Sequence, residues 1–140
     1  MENKRKMQRT IAIGDIHGCL DALNALLDAI KPMKDDTIVT VGDYVDRGPD
    51  SRGVIERLMQ LEETTNLIPL LGNHEEMLIA VLDREMEPYS WLNHGGVDTM
   101  ESYGFSGNLN CVPQSHRDFL KRLVDYYEND THFVVHANYD

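Results

Sequence analysis

Thr37-Ile-Val-Thr-Val-Gly-Asp43, running on into Tyr44-Val-Asp-Arg-Gly48, is the stretch on which the fold turns. A short apolar, β-branched run ends in a glycine, a carboxylate follows, and a helical pattern begins a few residues later. The same order occurs upstream in Thr10-Ile-Ala-Ile-Gly14 with Asp15, and downstream in Leu67-Ile-Pro-Leu-Leu-Gly72 with Asn73. Asp15, Asp43 and Asn73 stand 28 and then 30 positions apart, about the length of one βαβ unit. Continuous apolar runs of this kind suit buried parallel strands better than half-exposed ones.

The segments between the runs read as helices. Leu20, Leu23, Leu27 and Ile30 form one apolar stripe that Pro32 ends. Val54, Ile55, Leu58 and Met59 form a second, with a cap near Asp50 or Ser51. A third helix starts at Asn73 or His74 and carries Met77, Leu78, Val81 and Leu82. Residues 86–112 hold four glycines and several small polar residues, which predicts a long surface excursion. Ser115-His-Arg-Asp118 reads as a capping box ahead of a helix with Phe119, Leu120, Leu123 and Val124. Tyr126 to Thr131 reads as strand and turn, leading into Thr131-His-Phe-Val-Val135 and His136.

Right-handed βαβ units align the C-terminal ends of their strands along one sheet edge, where ligands of open α/β sheets bind. Asp15, His17, Asp43, Asp46, Asn73 and His74 should converge there, and His136, after a fourth apolar run, is placed to join them. An aspartate behind a strand can simply cap a helix, and a histidine can do the same. Convergence of all seven is the stronger reading. This oxygen and nitrogen set suits Mn²⁺, Fe or Zn better than Ca²⁺, and without thiolates it is no structural zinc site. One carboxylate can bridge two metals about 3.5–4 Å apart, with a hydroxide between them aimed at phosphorus.

Gly14-Asp-Ile-His-Gly18, Gly42-Asp-Tyr-Val-Asp-Arg-Gly48 and Gly72-Asn-His-Glu75 resemble the three motifs of the calcineurin-like metallophosphoesterases, in that family's order and spacing. The Asp-Arg-Gly of the second is similar to the bacterial-type serine/threonine phosphoprotein phosphatase branch. The resemblance implies an α/β class built of βαβαβ units within an α/β/β/α sandwich. It implies Asp15 and His17 as ligands of a first metal, Asp43 as the bridging carboxylate, and Asn73 and His136 as ligands of a second. It further implies His74 as general acid, Asp46 as its orienting partner and Arg47 as a phosphate clamp. Two divalent ions are implied, Mn²⁺ first, with Fe or Zn as alternatives. The implied activity is phosphoric monoester hydrolysis by a dinuclear metal-bound hydroxide, foremost on protein phosphoserine or phosphothreonine. Two other readings stand beside it: a symmetrical dinucleoside polyphosphate hydrolase, and a catalytically weak metal-binding or interaction module.

His94-Gly95-Gly96 matches the His-Gly-Gly that carries a ligand in many relatives, but it follows Trp91-Leu-Asn93 rather than an apolar strand. His136 is the better ligand, although Ala137-Asn138 replaces the usual pair of glycines. The stretch from Trp91 to Gly96, with Ser102-Tyr-Gly104, resembles a segment bacterial relatives place beside the active-site face. His116 and His132 read as surface or strand histidines without function. Relatives continue past the strand of the fourth motif. The whole chain therefore reads as the N-terminal part of one such domain, with an uncovered sheet that favours a homodimer.

Composition narrows the partners. A net charge of −11 with no basic stripe argues against nucleic acid. No apolar run is long enough to span a membrane. The basic N-terminus, Met1 to Arg9, has no signal-peptide apolar region and reads as a frayed leader, with residues 1–8 flexible. Cys19 and Cys111 form no framework and read as reduced thiols of a cytoplasmic protein. The expected partner is a phosphorylated protein or a small phosphoester.

Overall fold

The computed structural model describes residues 8–137. Three short strands, β1 (Thr10–Ile13), β2 (Thr37–Thr40) and β3 (Asn66–Pro69), form a parallel sheet in the order β1-β2-β3. Thr10, Thr37 and Asn66 stand in line across it, so the strands end level with one another. Ile38 and Val39 of the central strand are fully buried, as a run apolar on both faces requires.

Helix α1 (Leu20–Ile30) buries Leu23 and Leu27, and ends where Lys31 turns left-handed and returns its N–H to the Leu27 carbonyl. Helix α2 (Ser51–Thr64) starts under the expected cap, Asp50, whose carboxylate accepts from Gly53 N at 2.8 Å. It buries Val54, Ile55, Leu58 and Leu61, each contributing about 1.5–3 kcal/mol. Arg57 of α2 reaches Asn24 of α1 at 3.1 Å. Helix α3 (Asn73–Leu82) begins at the residue expected and buries Leu78, Val81 and Leu82.

Residues 86–112 differ from expectation. In place of a surface excursion they form α4 (Pro88–Trp91), a wide turn, and α5 (Val97–Ser102), which packs on α2. Trp91, Met100 and Tyr103 belong to the main core. The glycines mark close approach rather than looseness: a Cβ on Gly95, at φ +106°, would sit 2.6 Å from Arg47 Cγ.

Helix α6 (Gln114–Lys121) departs in its start. Pro113 takes the cap position, and its carbonyl accepts from His116 N and Arg117 N, so Ser115 lies inside the first turn and no capping box forms. His116, expected at the surface, is buried against Tyr103, whereas His132 is exposed as anticipated. The chain then runs beside β3, with Leu71 N bonded to Val124 O at 2.8 Å, and turns into an antiparallel hairpin of β4 (Tyr126–Glu128) and β5 (Phe133–Val135). The fourth apolar run thus pairs in its own hairpin rather than in the parallel sheet.

The expected leader, residues 1–8, lies outside the described residues except for Gln8. Arg9, the last residue of the basic run, is anchored: its guanidinium grips Asp36 at 2.6 and 3.1 Å and reaches the carbonyls that end α1. That grip, with the Met33 N–H, holds the Asp36 carboxyl down at about 2. No helix among the described residues is long and apolar enough to cross a membrane.

Candidate active site

The site begins as a backbone problem. Beyond β2 the chain passes through positive φ at Gly42, Asp43, Asp46 and Arg47, and beyond β1 at His17. Gly42 is required there, because a Cβ would lie 2.7 Å from the backbone of Gly72 beyond the neighbouring strand. The non-glycine residues each carry strain of order 1–3 kcal/mol that surrounding bonds must hold.

Glu75 supplies much of that hold. Oε1 accepts from Asp43 N at 2.6 Å and Gly72 N at 3.1 Å, while Oε2 accepts from Tyr44 N at 2.8 Å and Val45 N at 3.2 Å. Burial pushes this carboxyl up to about 8, and the backbone N–H groups pull the other way by favouring its ionised form. Tyr44 braces the loop from beneath: its hydroxyl meets Leu70 O at 2.7 Å and Thr40 Oγ1 at 2.8 Å. From β1, Ile16 N and His17 N bond Asp43 O at 3.0 and 2.8 Å.

Five of the other six expected residues gather around Asp43, and Asp46 reaches the group through His74. Asp43 Oδ1 accepts from His74 N at 3.1 Å. Its Oδ2 faces two imidazoles, His17 Nε2 at 3.6 Å and His136 Nε2 at 3.4 Å. Each imidazole is oriented by its other nitrogen: His17 Nδ1 donates to Val45 O at 2.8 Å, and His136 Nδ1 to Val41 O at 2.6 Å. Each ring is thus left with its Nε2 facing Asp43, the orientation carbonyl-anchored ligand histidines take. Asn73 Oδ1 lies 2.7 Å from His136 Nε2, and Asp15 Oδ2 lies 4.0 Å from His17 Nε2.

Carboxylate and amide oxygens and imidazole nitrogens gathered this closely form a donor set that fits a divalent metal on both sides of Asp43. Donor atoms within 4.8 Å of one another form two groups, Asp15 with Asp43 and His136, and His17 with Asp43 and His74. The grouping differs from the expected pairing of Asp15 with His17. Asp15 is exposed and lies near both histidines, grouped with His136 and 4.0 Å from His17 Nε2.

His74 stands apart by its partner. Its Nδ1 lies 2.7 Å from Asp46 Oδ2, and its ring meets that of His17 edge-on at 4.8 Å. Burial pushes the Asp46 carboxyl above its ordinary range, while bonds from Thr99, His74 and Trp91 draw it back. Arg47 is exposed beside this pair, its N–H bonded to Gly95 O at 3.1 Å. His94 lies on the surface with Nδ1 on Ser90 O at 2.6 Å and belongs to neither group of metal-type donors.

Sequence reasoning passed over Glu75, Trp91 and Thr99. Glu75 stood in the third motif at the helical position that reaches back to its own cap, a signal that was there to read. The stretch from Trp91 resembled a segment beside the active-site face, but nothing local tied Trp91 or Thr99 to Asp46, because only folding brings residues 91 and 99 to it.

Three likenesses to known proteins accompany this geometry. The family described as calcineurin-like phosphoesterase matches residues 8–140. Curated relatives include the symmetrical bis(5'-nucleosyl)-tetraphosphatases of Salmonella paratyphi A, 45% identical over 73 residues, and of Wigglesworthia glossinidia brevipalpis, 43% identical over 68 residues. These alignments cover 51% and 48% of this chain but 25% and 24% of the relatives, so the chain matches about a quarter of their length. Among solved structures, a candidate diadenosine tetraphosphatase superposes with a TM-score of 0.68 at 29% identity, over 92% of this chain and 50% of that one. A cold-active protein-tyrosine phosphatase of a psychrophilic Shewanella shares the fold, with a TM-score of 0.64 at 20% identity over 84% of this chain and 38% of the other.

Proposed function

Because the chain belongs to the calcineurin-like phosphoesterase family, we propose that it carries the metal-binding and proton-donating groups of a phosphoester hydrolase, and that its substrate is a dinucleoside polyphosphate cleaved symmetrically. The observation that carries the hydrolytic reading is Asp43 Oδ2 set between two carbonyl-anchored imidazoles, 3.6 and 3.4 Å away. Asp15 and His17 would hold one divalent ion, Asn73 and His136 the other, and Asp43 both, with Mn²⁺ the first choice. Such ions supply charge neutralisation at phosphorus and activation of water.

The chain's own residues do the rest. Arg47, its guanidinium planar and its side chain exposed next to Asp46, can clamp two phosphate oxygens. His74, its Nδ1 occupied by Asp46, presents Nε2 to protonate the leaving oxygen. The preference for a dinucleoside polyphosphate over a phosphoprotein is supported by the curated relatives, which share 45% of positions over half of this chain. The protein phosphatase reading of the motifs has only likeness of fold behind it among the solved structures.

A Mn²⁺-dependent assay on diadenosine tetraphosphate, a phosphothreonine peptide and an aryl phosphate tests this. Two molecules of ADP per diadenosine tetraphosphate are expected, with the phosphopeptide turned over at least about tenfold more slowly. Faster turnover of the phosphopeptide would return the substrate to protein. Tight Mn²⁺ binding without turnover of any of the three would leave a metal-binding module.

A further inference from the structure

Asp46 is wholly enclosed, and three side chains from outside its own loop converge on its carboxylate. Oδ2 accepts from His74 Nδ1 at 2.7 Å and from Trp91 Nε1 at 2.8 Å, while Oδ1 accepts from the Thr99 hydroxyl at 2.6 Å. We propose that Trp91 and Thr99 are positioning residues of the hydrolytic site, fixing Asp46 and through it the ring orientation of His74. The inference rests on the proton-donor reading of His74.

A carboxylate bonded to the histidine alone could rotate about its Cβ–Cγ bond and let the imidazole swing. Here each oxygen is held by a different element, Oδ2 from the end of α4 and Oδ1 from α5, so rotation breaks a buried bond. Thr99 also fixes the main chain: its hydroxyl accepts from Asp46 N at 2.8 Å and lies 3.1 Å from Ser51 Oγ, which itself accepts from Asp46 N at 3.0 Å. One hydroxyl thus clamps both the carboxylate and the backbone of a residue held at φ +74°. Trp91 is fully buried, and phenylalanine could fill much of its space. The indole N–H is what only tryptophan brings, and Asp46 receives it. The segment whose composition suggests a loop therefore carries the outer support of the proposed acid.

The variants W91F, T99V and T99S on the full chain, with H74N as reference, test the assignment by two readouts. The first is the downfield imidazole N–H proton of His74 by NMR, identified by its loss in H74N. W91F and T99V should each speed its exchange with solvent by about tenfold or more while melting remains cooperative, and T99S should restore protection. The second is the Mn²⁺-dependent rate on phenyl phosphate against 2,4-dinitrophenyl phosphate, whose leaving group needs no proton. W91F and T99V should lower kcat on the first by about tenfold and on the second by less than about twofold, with KM unchanged. Unchanged proton exchange in both variants, or equal losses on both esters, overturns the proposal. If H74N itself loses both esters equally, the proton-donor reading falls and this one with it. If H74N discriminates and W91F and T99V do not, only the positioning role is lost. Should W91F fail to fold, the T99V and T99S pair decides.

Discussion

Glu75 and Asp43 divide the labour at the centre of the site. Asp43 turns one oxygen to the backbone of α3 and the other to the imidazoles, so the oxygen proposed to meet metal is aimed by folding alone. Glu75 has no such face: both of its oxygens are spent on N–H donors of the strained turns. Glutamine at that position would set an amide NH₂ against N–H groups and strand at least one donor pair in the interior. E75Q should therefore cost about 2–4 kcal/mol of stability by urea unfolding, although it touches neither metal nor substrate. A loss within about 0.5 kcal/mol would mean that the turns hold themselves.

At the scale of elements, α2, α5 and α6 are tied through His116. Its Nδ1 lies 2.6 Å from Tyr103 Oη just past α5, and its Nε2 lies 3.6 Å from Glu56 of α2. Arg52, also on α2, stacks 5.9 Å from the Tyr103 ring. Burial holds the His116 pKa below its ordinary value, with Glu56 opposing that shift and Arg52 adding to it. The folded state thus binds the proton less readily than the unfolded chain. Stability from this group is complete above the unfolded value near 6.5 and is lost as pH falls through the folded one. Thermal melts between pH 7.5 and 5 should show a steeper acid-side loss in the wild type than in H116Q. Parallel curves would show that His116 stays neutral across that window or is equally free to charge in both states.

For the molecule as a whole, folding gathers acidic and imidazole groups at one sheet edge in a chain already at −11. Cations bound there relieve repulsion in the native state and have no comparable site in the unfolded chain. Mn²⁺ should therefore raise the melting temperature, the stabilisation reaching about 2.7 kcal/mol at a hundredfold excess over Kd. A chelator should reverse the shift. D43N, which removes the carboxylate proposed as common to both sides, should weaken Mn²⁺ binding in calorimetry by about 100-fold or more and abolish the thermal response. An unaltered affinity in D43N would refute the cradle.

Where interactions are local, the amino-acid sequence was enough. The runs ending in Gly14, Gly42 and Gly72 determined three parallel strands, because a glycine exit and a following helical stripe are near-neighbour effects. The level ends of those strands brought Asp15, His17, Asp43, Asp46, Asn73 and His74 together, and His136 joined them from the hairpin. Residues 86–112 were misjudged because glycine and small polar residues signal a loop when neighbours are unknown. Packed on α2, the same residues permit the close approaches that bury Trp91. His116 was placed at the surface for a like reason: its partners Tyr103 and Glu56 lie 13 and 60 positions away. Only the tertiary structure decided which side chains stand behind the site, since Glu75, Trp91 and Thr99 work through contacts between elements. Such contacts depend on relative orientation, which no local pattern encodes.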